Sequence, residues 1–145
     1  MSAQGTDNTV RGFIFACTKK TEGDCLKSLI FGTDKVFAPV IIRVKIGDLL
    51  FLQNLETHLL YGVFRAVSNG GETIDSKLWG GKYHFQVKVE LIGKLCAIED
   101  SILGKYGITQ NKPIVGKKLV SIIDTYLKLH SFYRAEKLEN QGTIK

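Results

Sequence analysis

The sequence is short of the features that mark several protein classes. It has two prolines and no low-complexity run, which excludes a proline-rich linker or tail. Its three cysteines, Cys17, Cys25 and Cys96, are odd in number and fall in no CxxC or Cys/His spacing, so no zinc site is expected. Buried free thiols in a reducing compartment are expected instead, and Cys17 and Cys25 are candidates to meet in space. No apolar run approaches the roughly 20 residues of a membrane span. Met1 to Thr9 is polar and lacks the apolar core of a signal peptide. A cytoplasmic protein with no membrane partner is the expectation.

The usual catalytic arrangements are missing too. His58, His84 and His130 are scattered, and none sits in a metal motif. Gly116-Lys117 lacks the upstream glycine of a phosphate loop. Glu22 and Asp24 have a helix-start explanation. No catalytic residue, metal or cofactor is assigned, and the chain reads as a binder rather than an enzyme.

What is present is an ordinary globular composition, 44% apolar and 23% charged, on 145 residues. That length suits one domain with its own core. The expected organisation is a loose start over 1–9, one domain over 10–138 and a frayed end over 139–145. The net charge of +6 is uneven: basic and acidic residues number 12 and 11 through residue 103, but 8 and 3 afterwards. A basic final third attracts polyanions by releasing their counterions.

The local pattern runs as follows. Val10 to Cys17 is aromatic and β-branched, a strand with apolar residues on both faces. Thr21 is placed as the cap of a helix over about Glu22 to Phe31, with Asp24 at the reciprocal position and Gly32 as the left-handed stop. Val40 to Ile46, Leu49 to Gln53 and Leu59 to Ala66 read as strands, the first two joined by Gly47-Asp48 as an antiparallel pair. Tyr83, Phe85, Val87, Val89 and Leu91 alternate with polar residues, the clearest strand period in the chain. A short helix is expected over Ile98 to Leu103. A long one is expected over Lys117 to Arg134, with Leu119, Ile122, Ile123, Tyr126, Leu127 and His130 as its buried stripe. The fold class is therefore α+β: a small barrel of five to six mostly antiparallel strands, with a short helix after the first strand and a long one near the end.

Trp79, the single tryptophan, stands out in a glycine-flanked loop with Leu78 as its apolar neighbour. Two readings are open: a plug at one end of the barrel, or a stacking wall for a base, where stacking contributes roughly 1–3 kcal/mol. On the second reading Lys20, Arg65 and Lys82 are candidates to hold phosphates.

Two resemblances agree on the fold. Phe13-Ile14-Phe15-Ala16-Cys17-Thr18, Thr21-Glu22-Gly23-Asp24-Cys25-Leu26, Phe31-Gly32, Ile46 to Leu52 and Leu60 to Ala66 resemble the plant development and cell death (DCD) domain. The order Gly62-Val63, Trp79, Tyr83 to Leu91, Asn111-Lys112-Pro113 and a last helix is similar to a YTH domain. Both look like members of the PUA-like group of barrels, with EVE and ASCH domains. The YTH resemblance implies a slot for one base of single-stranded RNA, with 6-methyladenine as the modified candidate. Its aromatic cage would be Trp79, Tyr83 and an aromatic after the first helix, Phe31 or else Phe37. Cys17, Thr18 and Lys19 would offer hydrogen bonds to the base edge. The DCD resemblance implies a protein partner instead.

Overall fold

A computed structural model describes residues 9–34, 38–71, 73–110 and 112–129. The expected loose start and frayed end lie outside these residues, Thr9 excepted, as do Phe37, His130 and Arg134. Strand β1 (Gly12–Cys17) leads to helix α1 (Lys19–Ser28), strand β2 (Ile30–Thr33) and a one-turn helix α2 (Ala38–Ile41). Strands β3 (Leu49–Asn54) and β4 (Leu59–Ala66), a 3₁₀ turn (Leu78–Gly81), strand β5 (Phe85–Glu99) and helix α3 (Ser101–Lys105) follow. Residues 116–129 form helix α4.

The five strands lie in the order β1-β3-β4-β5-β2 and curl into a nearly closed barrel. β1 runs parallel to β3, which needs the crossover through α1 and β2, and the other pairs are antiparallel. The α+β barrel of mostly antiparallel strands with a short helix after the first is what the sequence pattern implies.

Successive side chains of a strand point to opposite faces, and here both faces are buried. Phe13, Phe15 and Cys17 of β1 enter the barrel interior with Phe31, Leu50, Leu52, Phe64, Val87 and Val89. Ile14 of β1 and Phe51 of β3 point out, into a second core with Leu60, Leu119, Ile122 and Tyr126 under α4. In β4, Leu60 and Phe64 share a parity yet reach opposite cores. The β3–β4 register shifts between Leu50 and Leu52, where Gly62 and Val63 of β4 stand opposite Phe51 alone, and such a bulge exchanges the faces of β4. Gly62 also lets α4 dock, since a Cβ there would lie 2.8 Å from Phe51 and 3.0 Å from Tyr126. The Tyr126 hydroxyl donates to the Leu60 carbonyl at 2.6 Å, and burial pushes its phenol well above the usual range.

Several local expectations are corrected. The cap of α1 is Thr18, not Thr21, so the helix begins at Lys19; the Thr18 N–H donates to Thr21 Oγ1 at 3.0 Å. The helix stops at Leu29, in the left-handed region at φ 57°, so Gly32 is a strand residue of β2. Val40 to Ile46 is not a strand. Pro39 suits the first turn of a helix, the segment closes turns by Arg43 N–H to Val40 and Val44 N–H to Ile41, and both edges of β3 are already taken by β1 and β4. β5 continues past Leu91 to Glu99, so the short helix starts later, at Ser101. Leu127 is 58% exposed; the α4 face that reaches the core is Leu119, Ile122 and Tyr126.

Candidate functional site

β1 and β2 are the two edges of the sheet, and they face each other without forming a ladder. Leu49 and Leu55 donate to the carbonyls of Arg11 and Cys17 at 2.8 and 3.0 Å. The odd-numbered residues of β1 thus bond β3, and Gly12, Ile14 and Ala16 turn their N–H and C=O groups to the open edge. Gly12 is satisfied there by Ile114 through bonds of 2.8 and 2.7 Å. Ile14 and Ala16 have no ladder partner among the described residues. On the other side Val89 donates to the Leu29 carbonyl at 2.9 Å, so Leu29, Phe31 and Thr33 bond β5 and Gly32 faces the seam.

A cavity of about 220 Å³ occupies this seam. Phe15, Ala16 and Cys17 of β1 form one wall, continued by Thr18, Thr21 and Cys25 of α1. Gly32, Thr33 and Asp34 form the other, and Trp79 and Tyr83 cover it. Ile14, Val40, Ile41, Leu55 and Gln110 complete the lining.

Trp79 adopts φ 55°, ψ 31°, followed by Gly80 at φ 64° and Gly81 at φ 77°. A left-handed conformation costs a side-chain-bearing residue about 1–2 kcal/mol, so contacts of the indole must offset it. The ring lies directly on the backbone of Gly32, where a Cβ would come within 2.6 Å of Trp79 Cζ3. It also meets Tyr83 edge-on, with centroids 5.4 Å apart at 73°. Trp79 Nε1 is buried without a hydrogen-bond partner among the described residues.

Burial, with Glu22 nearby, pushes the Cys17 thiol up to about 12. Burial, then Cys17, Asp24 and Glu22, does the same for Cys25, to about 12. Both thiols are therefore neutral and unreactive at ordinary pH. They are free, buried and close enough to influence each other. Glu22 is held by Asn54 Nδ2 at 3.0 Å, and the Asn54 amide oxygen accepts the N–H groups of Glu56 and Thr57 at 2.9 and 3.1 Å. This network fixes the start of α1 against the β3–β4 turn.

Of the residues singled out in the sequence, Cys17, Thr18, Trp79 and Tyr83 come together in the cavity. Phe31 does not: it is fully buried in the barrel interior against Phe15 and Phe64, at ring distances of 5.9 and 5.0 Å. Its position in β2 turns its side chain inward and puts Gly32 on the seam. Lys19 and Lys20 are exposed at the start of α1, and the Lys19 N–H donates to Glu56 Oε1 at 2.7 Å. Lys82 is exposed, with Nζ 5.4 Å from the Tyr83 ring centroid. Arg65 lies on β4, outside the cavity, and its Nε donates to Glu90 Oε2 at 2.6 Å across the β4–β5 ladder. The sequence reading missed Ala16, Gly32, Thr33 and Asp34. Only the pair Phe31-Gly32 hinted at them, since a glycine inside a strand marks a close approach.

A family model described as "Development and cell death domain" matches residues 11–141. The chain belongs to the development and cell death domain family. The soybean (Glycine max) protein NRP-A, a DCD domain-containing protein, is 30% identical over 138 residues, which cover 87% of this chain and 38% of that protein. The B2 protein of carrot (Daucus carota) is 40% identical over 76 residues, covering 52% and 37%. The chain thus spans well under half the length of these curated relatives. Among solved structures, the YTH domain of Zygosaccharomyces rouxii MRB1, in complex with N6-methyladenosine RNA, superposes with a TM-score of 0.61. It is 15% identical, over 82% of this chain and 88% of that one. The Mmi1 YTH domain in complex with RNA gives a TM-score of 0.63 at 15% identity, over 84% and 82%. This DCD domain therefore has the barrel fold of YTH domains.

Proposed function

We propose that this DCD domain binds single-stranded RNA by taking one unstacked base into the seam between β1 and β2, and that it works as a binding module rather than an enzyme. The observation that carries the reading is the slot itself. It is small, below the roughly 300–1,000 Å³ of sites for whole drug-sized ligands, and suits one planar ring system. One face is an indole, and one rim is a strand edge where Ala16 has no ladder partner among the described residues, so that its N–H and C=O stand ready for a base edge. Lys19, Lys20 and Lys82 flank it and supply the sequence-independent attraction to phosphates. The YTH-like fold, shared with domains solved in complex with RNA, supports the same reading. The neutral thiols of Cys17 and Cys25 line the slot without offering a nucleophile.

With Phe31 inside the barrel, the β2 wall of the slot is Gly32, Thr33 and Asp34. A methyl group on the base gains apolar contact mainly from Trp79, and a single methyl decides about 1–3 kcal/mol at most. Base binding with a modest preference for 6-methyladenine is the expectation.

Trp79 is the only tryptophan, so its fluorescence reports on the slot directly. The test is a titration with short single-stranded RNAs, with and without one 6-methyladenine, at low and moderate salt. Quenching that weakens steeply with salt supports the reading. No quenching at low salt refutes it. A second reading, a protein partner, draws on the exposed aliphatic residues Ile42 and Ile46, at 52% and 65% exposure; an apolar contact would hold its affinity as salt rises.

A further inference from the structure

We infer that Gln86 is the positioning residue that holds Trp79 over the slot; the inference rests on the RNA-binding reading for its consequence but not for its geometry. Gln86 lies in β5, directly opposite Gly32 of β2. Cross-strand partners share a face of the sheet, so its side chain emerges on the same side as the indole that rests on Gly32. It is fully buried. Its Oε1 accepts the N–H groups of Ile74 and Asp75 at 2.7 and 2.8 Å. Its Nε2 donates to the carbonyls of Asp75 and Tyr83, both at 3.0 Å.

These four bonds use the whole capacity of one primary amide, two acceptor positions and two donors. They go to both ends of the segment that carries Trp79: Ile74 and Asp75 before it, Tyr83 after it. One side chain thereby closes the loop and spares the backbone a ladder. The loop needs such a clasp. Trp79, Gly80 and Gly81 all sit at positive φ, and among the described residues the indole N–H has no hydrogen-bond partner that would fix the ring. Glycine-rich backbone has the most freedom to lose on ordering. Holding the loop in advance means that a ligand need not pay for ordering it.

Gln86→Glu tests this. A carboxylate of the same shape can still accept from Ile74 and Asp75 but cannot donate to Asp75 and Tyr83. The ligand-free variant is expected to keep its far-ultraviolet circular dichroism while its Trp79 emission moves to the red and acrylamide quenching increases. Its affinity for the single-stranded RNA probe is expected to fall about three- to tenfold, the cost of reordering one immobilised side chain. A folded variant whose Trp79 emission and quenching match the parent overturns the inference, even if its melting temperature has dropped. Should Gln86→Glu not fold, hydrogen exchange on the unsubstituted protein decides. Among the described residues the Ile74 and Asp75 amides have no backbone acceptor, so protection supports the clasp and free exchange overturns it. Absence of RNA binding by the parent would remove the RNA reading alone, and the fluorescence and exchange results would still decide the role of Gln86.

Discussion

Gly32→Ala is the sharpest perturbation of this site. Gly32 is not at positive φ, so alanine is acceptable to the backbone, and the only conflict is with what lies above. A Cβ would sit 2.6 Å from Trp79 Cζ3, 3.2 Å from Cη2 and 3.2 Å from Tyr83 Cβ. Ordinary carbon contacts are about 3.5–4.0 Å, so the indole must lift by roughly 1 Å. Overpacking in a closed core costs about 1–3 kcal/mol. Here the lower end applies, because the ring has an exit toward solvent and its buried, unpartnered Nε1 meets water on the way out. A loss of about 1 kcal/mol corresponds to a melting temperature lower by roughly 2–8 °C. The stacking wall, in contrast, is displaced from the base. Stacking worth about 1–3 kcal/mol becomes a loss of roughly five- to 150-fold in affinity. Thermal melts and the Trp79 titration on the same preparation measure both quantities. RNA affinity within about twofold of the parent would refute the assignment of the indole as the base's wall. Collapse of the fold would instead show Trp79 to be a plug of the barrel.

Other expectations follow from the same geometry. Trp79→Ala is expected to fold at reduced stability, since the indole packs on the outside of the barrel core rather than inside it and alanine keeps the left-handed backbone strain; its RNA affinity, followed by anisotropy of a labelled strand, is expected to fall by at least as much as that of Gly32→Ala. Tyr126→Phe removes the donor to the Leu60 carbonyl and leaves that carbonyl buried, at a cost of about 1–3 kcal/mol in denaturant unfolding and no change in RNA affinity. Cys17 and Cys25 are held neutral to about 12, so a thiol reagent at pH 8 is expected to label Cys96 first and the other two only on unfolding. Their linkage to folding has a definite sign. The unfolded thiols ionise near pH 9 and the folded ones near 12, so the unfolded state holds fewer protons in that window. Stability is therefore expected to fall as pH rises from 9 toward 12, measured by urea titrations at fixed pH; a flat profile would show the thiols to be accessible.

Much of the local structure was legible because it follows from residue order. The apolar run at Val10 to Cys17 and the alternation from Tyr83 to Leu91 report strands whatever they pair with. The misread segment was Val40 to Ile46, whose β-branched residues favour a strand in isolation. They turn instead because β3 has no free edge, and no property of residues 40–46 records that. The helix after β1 was found but shifted, since Thr18 and Thr21 are both good caps and only the end of β1 chooses between them. Of the residues that line the slot, Trp79 stood out among its glycines, whereas Cys17, Thr18 and Tyr83 were named through the YTH resemblance. Phe31 was not placed correctly, because one residue of strand parity sends Phe31 inward and Gly32 to the seam. Arg65 was an unexplained charge in an apolar strand until the β4–β5 register set it beside Glu90.

The sequence alone determined the periodicities, the lack of a zinc-ligand spacing or a phosphate-loop motif, the excess of basic charge and the presence of one tryptophan among glycines. Those are properties of neighbours along the chain, and short-range physics acts on them directly. Only the tertiary structure decided that β1 and β2 end as unjoined edges, that Trp79 rests on Gly32 47 positions away, and that Gln86 bonds both ends of the loop that carries Trp79. Those depend on strand order and register, where a shift of one residue reverses which side chain faces the slot.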